Sequence, residues 1–92
     1  MAELKLAKPF LLDGKEVEKI EYDLDALTGD DIEKAIADLG RNGIVVTMVE
    51  TDQRYHAMLF AIASGNAYED IKRLPATDFT MATTAVRDFF LE

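Results

Sequence analysis

The sequence predicts an α+β fold, in which an N-terminal β-hairpin is followed by three to four α-helices. Apolar and polar residues alternate in the N-terminal part of the chain, and an Asp-Gly pair divides that part in two. From Ile32 onwards the apolar residues instead recur at the three- and four-residue spacing of amphipathic helices. A length of 92 residues predicts one domain, covering residues 1–92.

The first predicted strand has one buried face, because four of its large apolar residues fall on even positions. These residues are Leu4, Leu6, Phe10 and Leu12. Pro9 cannot donate a ladder hydrogen bond, so it restricts the strand to a sheet edge or a bulge. Asp13-Gly14 follows directly and predicts a tight hairpin turn, since glycine accepts a positive φ.

The second predicted strand alternates apolar residues with charged ones. Its apolar residues are Ile20, Tyr22 and Leu24. Val17 is out of phase with them, which predicts a bulge or a change of register near Glu18. A two-stranded hairpin is marginal by itself in water, so the helices are expected to cover its apolar face.

The first predicted helix starts with a capping box, because Thr28 and Asp31 have the T-x-x-D spacing. An apolar stripe follows at helical spacing and consists of Ile32, Ala35, Ile36 and Leu39. Gly40 is predicted to end the helix. The β-branched run Ile44–Val49 fits either a short strand or an extended buried linker, and both interpretations remain open.

A second long helix is predicted from Asp52, and it is apolar on nearly every side. Such a helix lies either at the centre of its core or under a partner. A short helix is predicted for residues 67–74, with Pro75 as its end, and Thr77 or Asp78 should cap the final helix. The apolar residues of that final helix are Phe79, Ala82, Val86, Phe89 and Phe90.

The composition excludes several classes of function. There are 18 acidic and 10 basic residues, a net charge of −8, and the basic residues are scattered, so nucleic acid and membrane surfaces are not expected partners. Cysteine is absent, and the sole histidine, His56, is expected to be partly exposed with no nucleophile beside it. Asp30 and Asp31 are explained by helix capping. The sequence therefore predicts no catalytic residue, no metal site, no cofactor and no enzyme activity.

The helices carry more large apolar side chains than one buried face each requires. They could all pack in a small core, or some could form an exposed surface that binds another protein. The candidate partner-binding residues are Tyr55, Met58, Phe60, Ile62, Met81, Phe89 and Phe90. The N-terminus lacks the apolar run of a signal peptide, so a cytoplasmic location is expected.

Several short motifs occur in an order that resembles the small tail assembly chaperones of phages and prophages, of the Mu-like contractile-tail type. The likeness covers about Leu4 to Leu91. Its motifs are Lys8-Pro9-Phe10-Leu11-Leu12, Asp13-Gly14-Lys15, Asp30-Asp31-Ile32, Ala63-Ser64-Gly65, Tyr68 to Leu74, and Asp78-Phe79 with Val86 and Phe89-Phe90-Leu91. The resemblance implies a chaperone without catalytic residues.

By this resemblance, the partner is the tape measure protein, a long, helical, apolar chain that must stay soluble until tail tube subunits assemble around it. The tail tube protein is a second candidate partner. The chaperone is expected in the cytoplasm of the bacterial host cell and absent from the mature virion. A structural virion component, such as a tail or connector subunit, and a generic regulatory protein-binding module remain alternatives. The sequence leaves open whether the chain forms a homo-oligomer.

Overall fold

A computed structural model describes residues 2–91 and shows an antiparallel hairpin followed by four helices, which confirms the predicted α+β fold. A 3₁₀ turn, Leu24–Ala26, joins the hairpin to the first helix. The elements are β1 (Ala2–Leu12), β2 (Lys15–Tyr22), α1 (Gly29–Arg41), α2 (Gln53–Ser64), α3 (Tyr68–Ile71) and α4 (Ala76–Leu91).

The hairpin turns at Asp13-Gly14, where both residues have positive φ (51° and 81°). Lys5 pairs with Lys19 and Phe10 pairs with Val17, so residues 6–9 lie opposite Glu18 alone. This confirms the change of register predicted near Glu18, and it places Pro9 in a bulge, where no ladder hydrogen bond is needed.

Helix α1 begins with the predicted capping box. The Thr28 N–H donates to Asp31 Oδ2 at 2.9 Å, and the Asp31 N–H donates to Thr28 Oγ1 at 3.4 Å. The prediction that Gly40 ends the helix is wrong, since the helix continues to Arg41. Gly43, with φ 78°, follows the helix and has the left-handed conformation that was expected of Gly40.

Residues 44–49 form an extended linker, not a strand. The described part of the chain contains a single two-stranded sheet, and the linker pairs with neither strand. Ile44 and Val46 pack against the core, whereas Val45, Met48 and Val49 are exposed. One part of this apolar run is therefore buried, and the other part lies on the surface.

Helix α2 lies at the centre of the fold and contacts α1, α3, α4, β2 and the 3₁₀ turn. Every residue from Tyr55 to Ala61 is buried as a result. The Phe60 ring lies 5.0 Å from the Tyr22 ring, centroid to centroid, and joins α2 to the hairpin. Leu24 was expected at the end of β2, but it begins the 3₁₀ turn and is also buried in this core.

Helix α3 is shorter than the predicted span of residues 67–74, and a turn continues it to Leu74, whose side chain is buried. Helix α4 begins at Ala76, so the prediction that Thr77 or Asp78 caps it is wrong. Asp78 lies in the first turn of α4, and its Oδ1 accepts a hydrogen bond of 2.8 Å from the Ala7 N–H. Ala7 belongs to the bulge, so Asp78 binds a backbone group that the β-ladder leaves unpaired.

Candidate partner-binding site

The buried stripe of α4 continues beyond the protein core. Asp78, Ala82 and Val86 follow one another at four-residue spacing and are fully buried. The next two positions on the same side of the helix are Phe89 and Phe90, whose exposed fractions are 38% and 45%. The last turn of α4 therefore presents two large apolar side chains that other residues of this chain cover only in part.

The two phenylalanine rings lie edge to face, with centroids 5.1 Å apart, and they line two different recesses. Phe89 lines a recess of about 380 Å³ together with Tyr22 and Leu24 at the end of the hairpin. Phe90 lines a smaller recess, of about 160 Å³, on the other side. The end of α4 thus separates two concave regions of the surface.

The smaller recess, which we call the apolar recess, is formed by four elements. Ile32 comes from α1, Val49 from the linker, Tyr55 from α2 and Phe90 from α4. His56, Glu50 and Arg87 complete the lining. Two exposed apolar side chains adjoin these elements in sequence, Ile36 one turn after Ile32 and Met48 directly before Val49. A partner that offers an apolar side chain would find here an open apolar recess next to further exposed apolar side chains.

His56 forms the inner wall of this recess. The prediction that it is partly exposed is wrong, because only 4% of its surface is accessible. Burial lowers the pKa of the His56 imidazole below its ordinary value, and the positive charge of Arg87 lowers it further. A backbone hydrogen bond with Val49 and the charge of Asp52 oppose this shift in the pKa. The lowered pKa favours the neutral form of the imidazole.

A family comparison identifies the chain. Residues 3–91 match the family described as "Phage tail assembly chaperone proteins, E, or 41 or 14". The chain belongs to this family. The resemblance noted from the sequence motifs is thereby confirmed, and this chaperone has protein partners in phage tail assembly. No curated protein and no solved structure gives a significant match to it.

The chaperone's predicted partner-binding residues fall into three groups. Tyr55, Met58 and Phe60 are buried in α2, and Ile62 is half-buried. Phe89 and Phe90 are accessible at the end of α4, and Met81, 45% exposed, lies on α4 more than two turns before them. Tyr55 and Phe90 meet in the apolar recess, Met58 and Ile62 line another recess, and Phe60 belongs to the core. Partner binding by these residues stays a prediction, and the exposed ones are those that a partner can reach in this conformation.

The predicted partner-binding residues do not include Val49, Ile32 or Arg87, although all three line the apolar recess. One signal for Val49 was available. The run Ile44–Val49 is strongly apolar, yet it matches neither a helix nor a strand that the rest of the fold requires. Apolar residues with no place in the regular structure are candidates for a binding surface. No comparable signal distinguished Arg87, because its position depends on how α2 and α4 pack.

Two further features bear on the chemistry of this surface. Within residues 2–91, no three His, Asp or Glu side chains are grouped so that they could hold a metal ion. Over the same residues, no helix is long and apolar enough to cross a membrane. The surface at the end of α4 presents apolar side chains, the Arg87 guanidinium and the Glu50 carboxylate.

Proposed function

We propose that this chaperone binds the tape measure protein without catalysing any reaction, and keeps it soluble in the host cytoplasm during tail assembly. The observation that carries the proposal is the continuation of the buried stripe of α4 onto the half-exposed Phe89 and Phe90. A tape measure segment is a long helix with an apolar stripe, which aggregates in water unless something covers it. Helix-in-groove binding covers such a stripe with apolar side chains at matching spacing.

The charge of the chaperone supports the proposal. Its net charge of −8 is spread over a surface on which acidic residues outnumber basic ones. Once the apolar surface at the end of α4 is covered, a complex with this charge repels other complexes of the same kind. The same molecule therefore offers an apolar site for the tape measure helix and a charged exterior that keeps the complex dispersed.

The proposal is tested by co-expressing the chaperone with helical fragments of the tape measure protein from the same phage. The wild-type chaperone should hold a fragment in the soluble fraction and co-purify with it. Phe90→Asp should lower the recovered fragment about tenfold or more, because it places a charge in the centre of the apolar site. Circular dichroism should show that the variant is folded, since Phe90 is half-exposed.

Leu11→Asp is the matched control. Leu11 lies on β1, is 62% exposed, is not among the predicted partner-binding residues, and lines none of the recesses at the end of α4. This variant introduces the same charge and should leave recovery of the fragment unchanged. Equal losses with both variants would mean that added charge, and not the apolar recess, decides recovery. Full recovery with Phe90→Asp would contradict the proposed site.

Absence from the mature virion is the second part of the proposal, and it separates an assembly factor from a structural component. Mass spectrometry of purified virions should detect the tape measure protein and the tail tube protein but no peptides of this chain. A stoichiometric amount of the chain in virions would instead assign it to the tail or the connector.

A further inference from the structure

A second recess lies beside the apolar recess and differs from it in polarity. This polar recess, of about 240 Å³, is lined by Gln53 and His56 of α2 and by Thr80, Thr83, Thr84 and Arg87 of α4, with Thr51 at its edge. Gln53 Nε2 donates to Thr83 Oγ1 at 3.2 Å, and Thr83 Oγ1 donates to the Thr80 carbonyl at 3.1 Å. The first of these hydrogen bonds connects α2 to α4 along one wall of the recess.

The sign of charge in the polar recess is opposite to that of the whole molecule. The chain has 18 acidic residues, yet none of them lines this recess, and Arg87 is its one charged lining residue. Among the described residues, the ion pair found for Arg87 is a contact of 3.6 Å with Asp88, and both side chains are at least half exposed. Such a pair contributes little, so the guanidinium can bind another carboxylate.

His56 and Arg87 line both recesses, so the apolar and polar recesses share a wall. On a helix, side chains three or four residues apart lie about 5–6 Å from each other on one face. A helix that inserts an apolar side chain beside Phe90 can therefore place a side chain one turn away beside Arg87. The threonine hydroxyls and the Gln53 amide offer the polar surroundings that a carboxylate requires when it leaves water.

We propose that the polar recess binds an acidic side chain, Asp or Glu, that lies one helical turn from the apolar side chain in the apolar recess. This inference rests on the proposed function for the identity of the helix, but the pair of recesses defines the recognition pattern by itself. Arg87 binds the acidic side chain, and Phe90, Val49 and Ile32 contact the apolar side chain. The chaperone then binds preferentially to those turns of an amphipathic helix that carry this pair of side chains. It does not bind every apolar stripe equally.

The test uses two capped, alanine-based helical peptides with one central Phe. In the first, Glu stands four residues before and four residues after the Phe, and in the second Gln takes both places. Binding to the whole chaperone is followed by NMR titration. The Glu peptide should bind about tenfold more tightly, the increment of a charge-assisted hydrogen bond. General electrostatics would produce the opposite order, because the chaperone carries a net charge of −8.

Arg87→Gln should remove the preference for Glu, so that the two peptides bind this variant with equal affinity. Arg73→Gln is the control, since Arg73 is an exposed arginine paired with Asp70 elsewhere on the surface, and it should keep the preference. Equal affinities of the wild-type chaperone for the two peptides, a preference that survives Arg87→Gln, or no binding of either peptide would overturn the inference.

The peptide result separates this inference from the proposed function. If tape measure fragments are captured but the peptides show no preference for Glu, the acid-binding recess is refuted and the chaperone function stands. If the Glu preference depends on Arg87 but no tape measure fragment is captured, the recess stands and the tape measure protein is the wrong partner.

Discussion

Helix α2 and the end of α4 are similar in composition but differ in burial. Both are rich in large apolar residues, yet Tyr55 to Ala61 of α2 are buried without exception, whereas Phe89, Phe90 and Leu91 of α4 are exposed. The difference lies in the neighbours. Helix α2 contacts three helices, the hairpin and the 3₁₀ turn, whereas the neighbours of Phe89 and Phe90 cover these two side chains only in part.

Apolar content therefore predicts which side chains must be covered, but not whether the same chain or a partner covers them. In α2 the chaperone covers its own apolar side chains, and they stabilise the fold. At the end of α4 the same residue types remain half-exposed, although covering them would be favourable by about 25 cal/mol per Å² of apolar area. Because that favourable energy is not used within the chain, it is available for binding.

Phe60→Ala should produce the largest loss of stability. Phe60 is completely buried and packs against Tyr22, so its truncation leaves a cavity between α2 and the hairpin. We expect the free energy of unfolding to fall by about 3–5 kcal/mol. Urea denaturation followed by circular dichroism measures the change. A loss below about 1 kcal/mol would mean that α2 is not the centre of the core.

Asp78→Ala should have the second largest effect and tests how the buried start of α4 is held. It removes the acceptor of the Ala7 N–H, a part-buried backbone group within the β1 bulge. The expected loss is about 1–3 kcal/mol in the free energy of unfolding. Asp78→Asn keeps an acceptor at Oδ1 and should cost less than Asp78→Ala. Equal losses for the two variants would show that the hydrogen bond to Ala7 does not stabilise the fold.

The features that the sequence predicted well are determined by neighbouring residues. The Asp13-Gly14 turn needs positive φ at two consecutive positions, and the Thr28 capping box needs one acid three residues later. The register change near Glu18 was predictable because Val17 breaks the alternation of its own strand. Each of these is a local relation that tertiary packing does not have to decide.

The features that the sequence did not settle depend on distant packing. Nothing local decides whether Ile44–Val49 pairs as a strand, because pairing requires that the fold bring the run beside a free edge of the hairpin. Within residues 2–91 the run pairs with neither β1 nor β2. The apolar pattern of a helix does not show which of its side chains the same chain buries. The sequence therefore did not distinguish the buried Tyr55 and Phe60 of α2 from the half-exposed Phe90 of α4. The burial of His56 has the same origin, since the α4 residues that line a recess with it lie 24 or more positions further along the chain.

Phe90→Ala makes the comparison with Phe60→Ala direct, because the same side chain is truncated in the second region. The half-exposed ring leaves no closed cavity, so the free energy of unfolding should fall by less than about 1 kcal/mol. Capture of tape measure fragments should nevertheless decrease. Measuring both variants by urea denaturation and by co-purification separates stability from binding. A Phe90→Ala variant as unstable as Phe60→Ala would place the end of α4 in the core.

The smallest predicted effect concerns His56, which lies where the buried helix and the exposed helix end meet. Burial lowers the pKa of the folded-state imidazole below the ordinary value that the unfolded chain retains, so between these two pKa values the unfolded state binds more protons. The free energy of unfolding should therefore fall as the pH is lowered through the ordinary histidine range, and this contribution should level off below the folded-state pKa. Urea denaturation between about pH 8 and pH 5 measures this change in the free energy of unfolding.

His56→Gln removes the titrating group while the carboxylates remain, so the free energy of unfolding of this variant should depend less on pH. An unchanged pH dependence would show that protonation of His56 is not linked to folding, and that the wall between the two recesses is open to water.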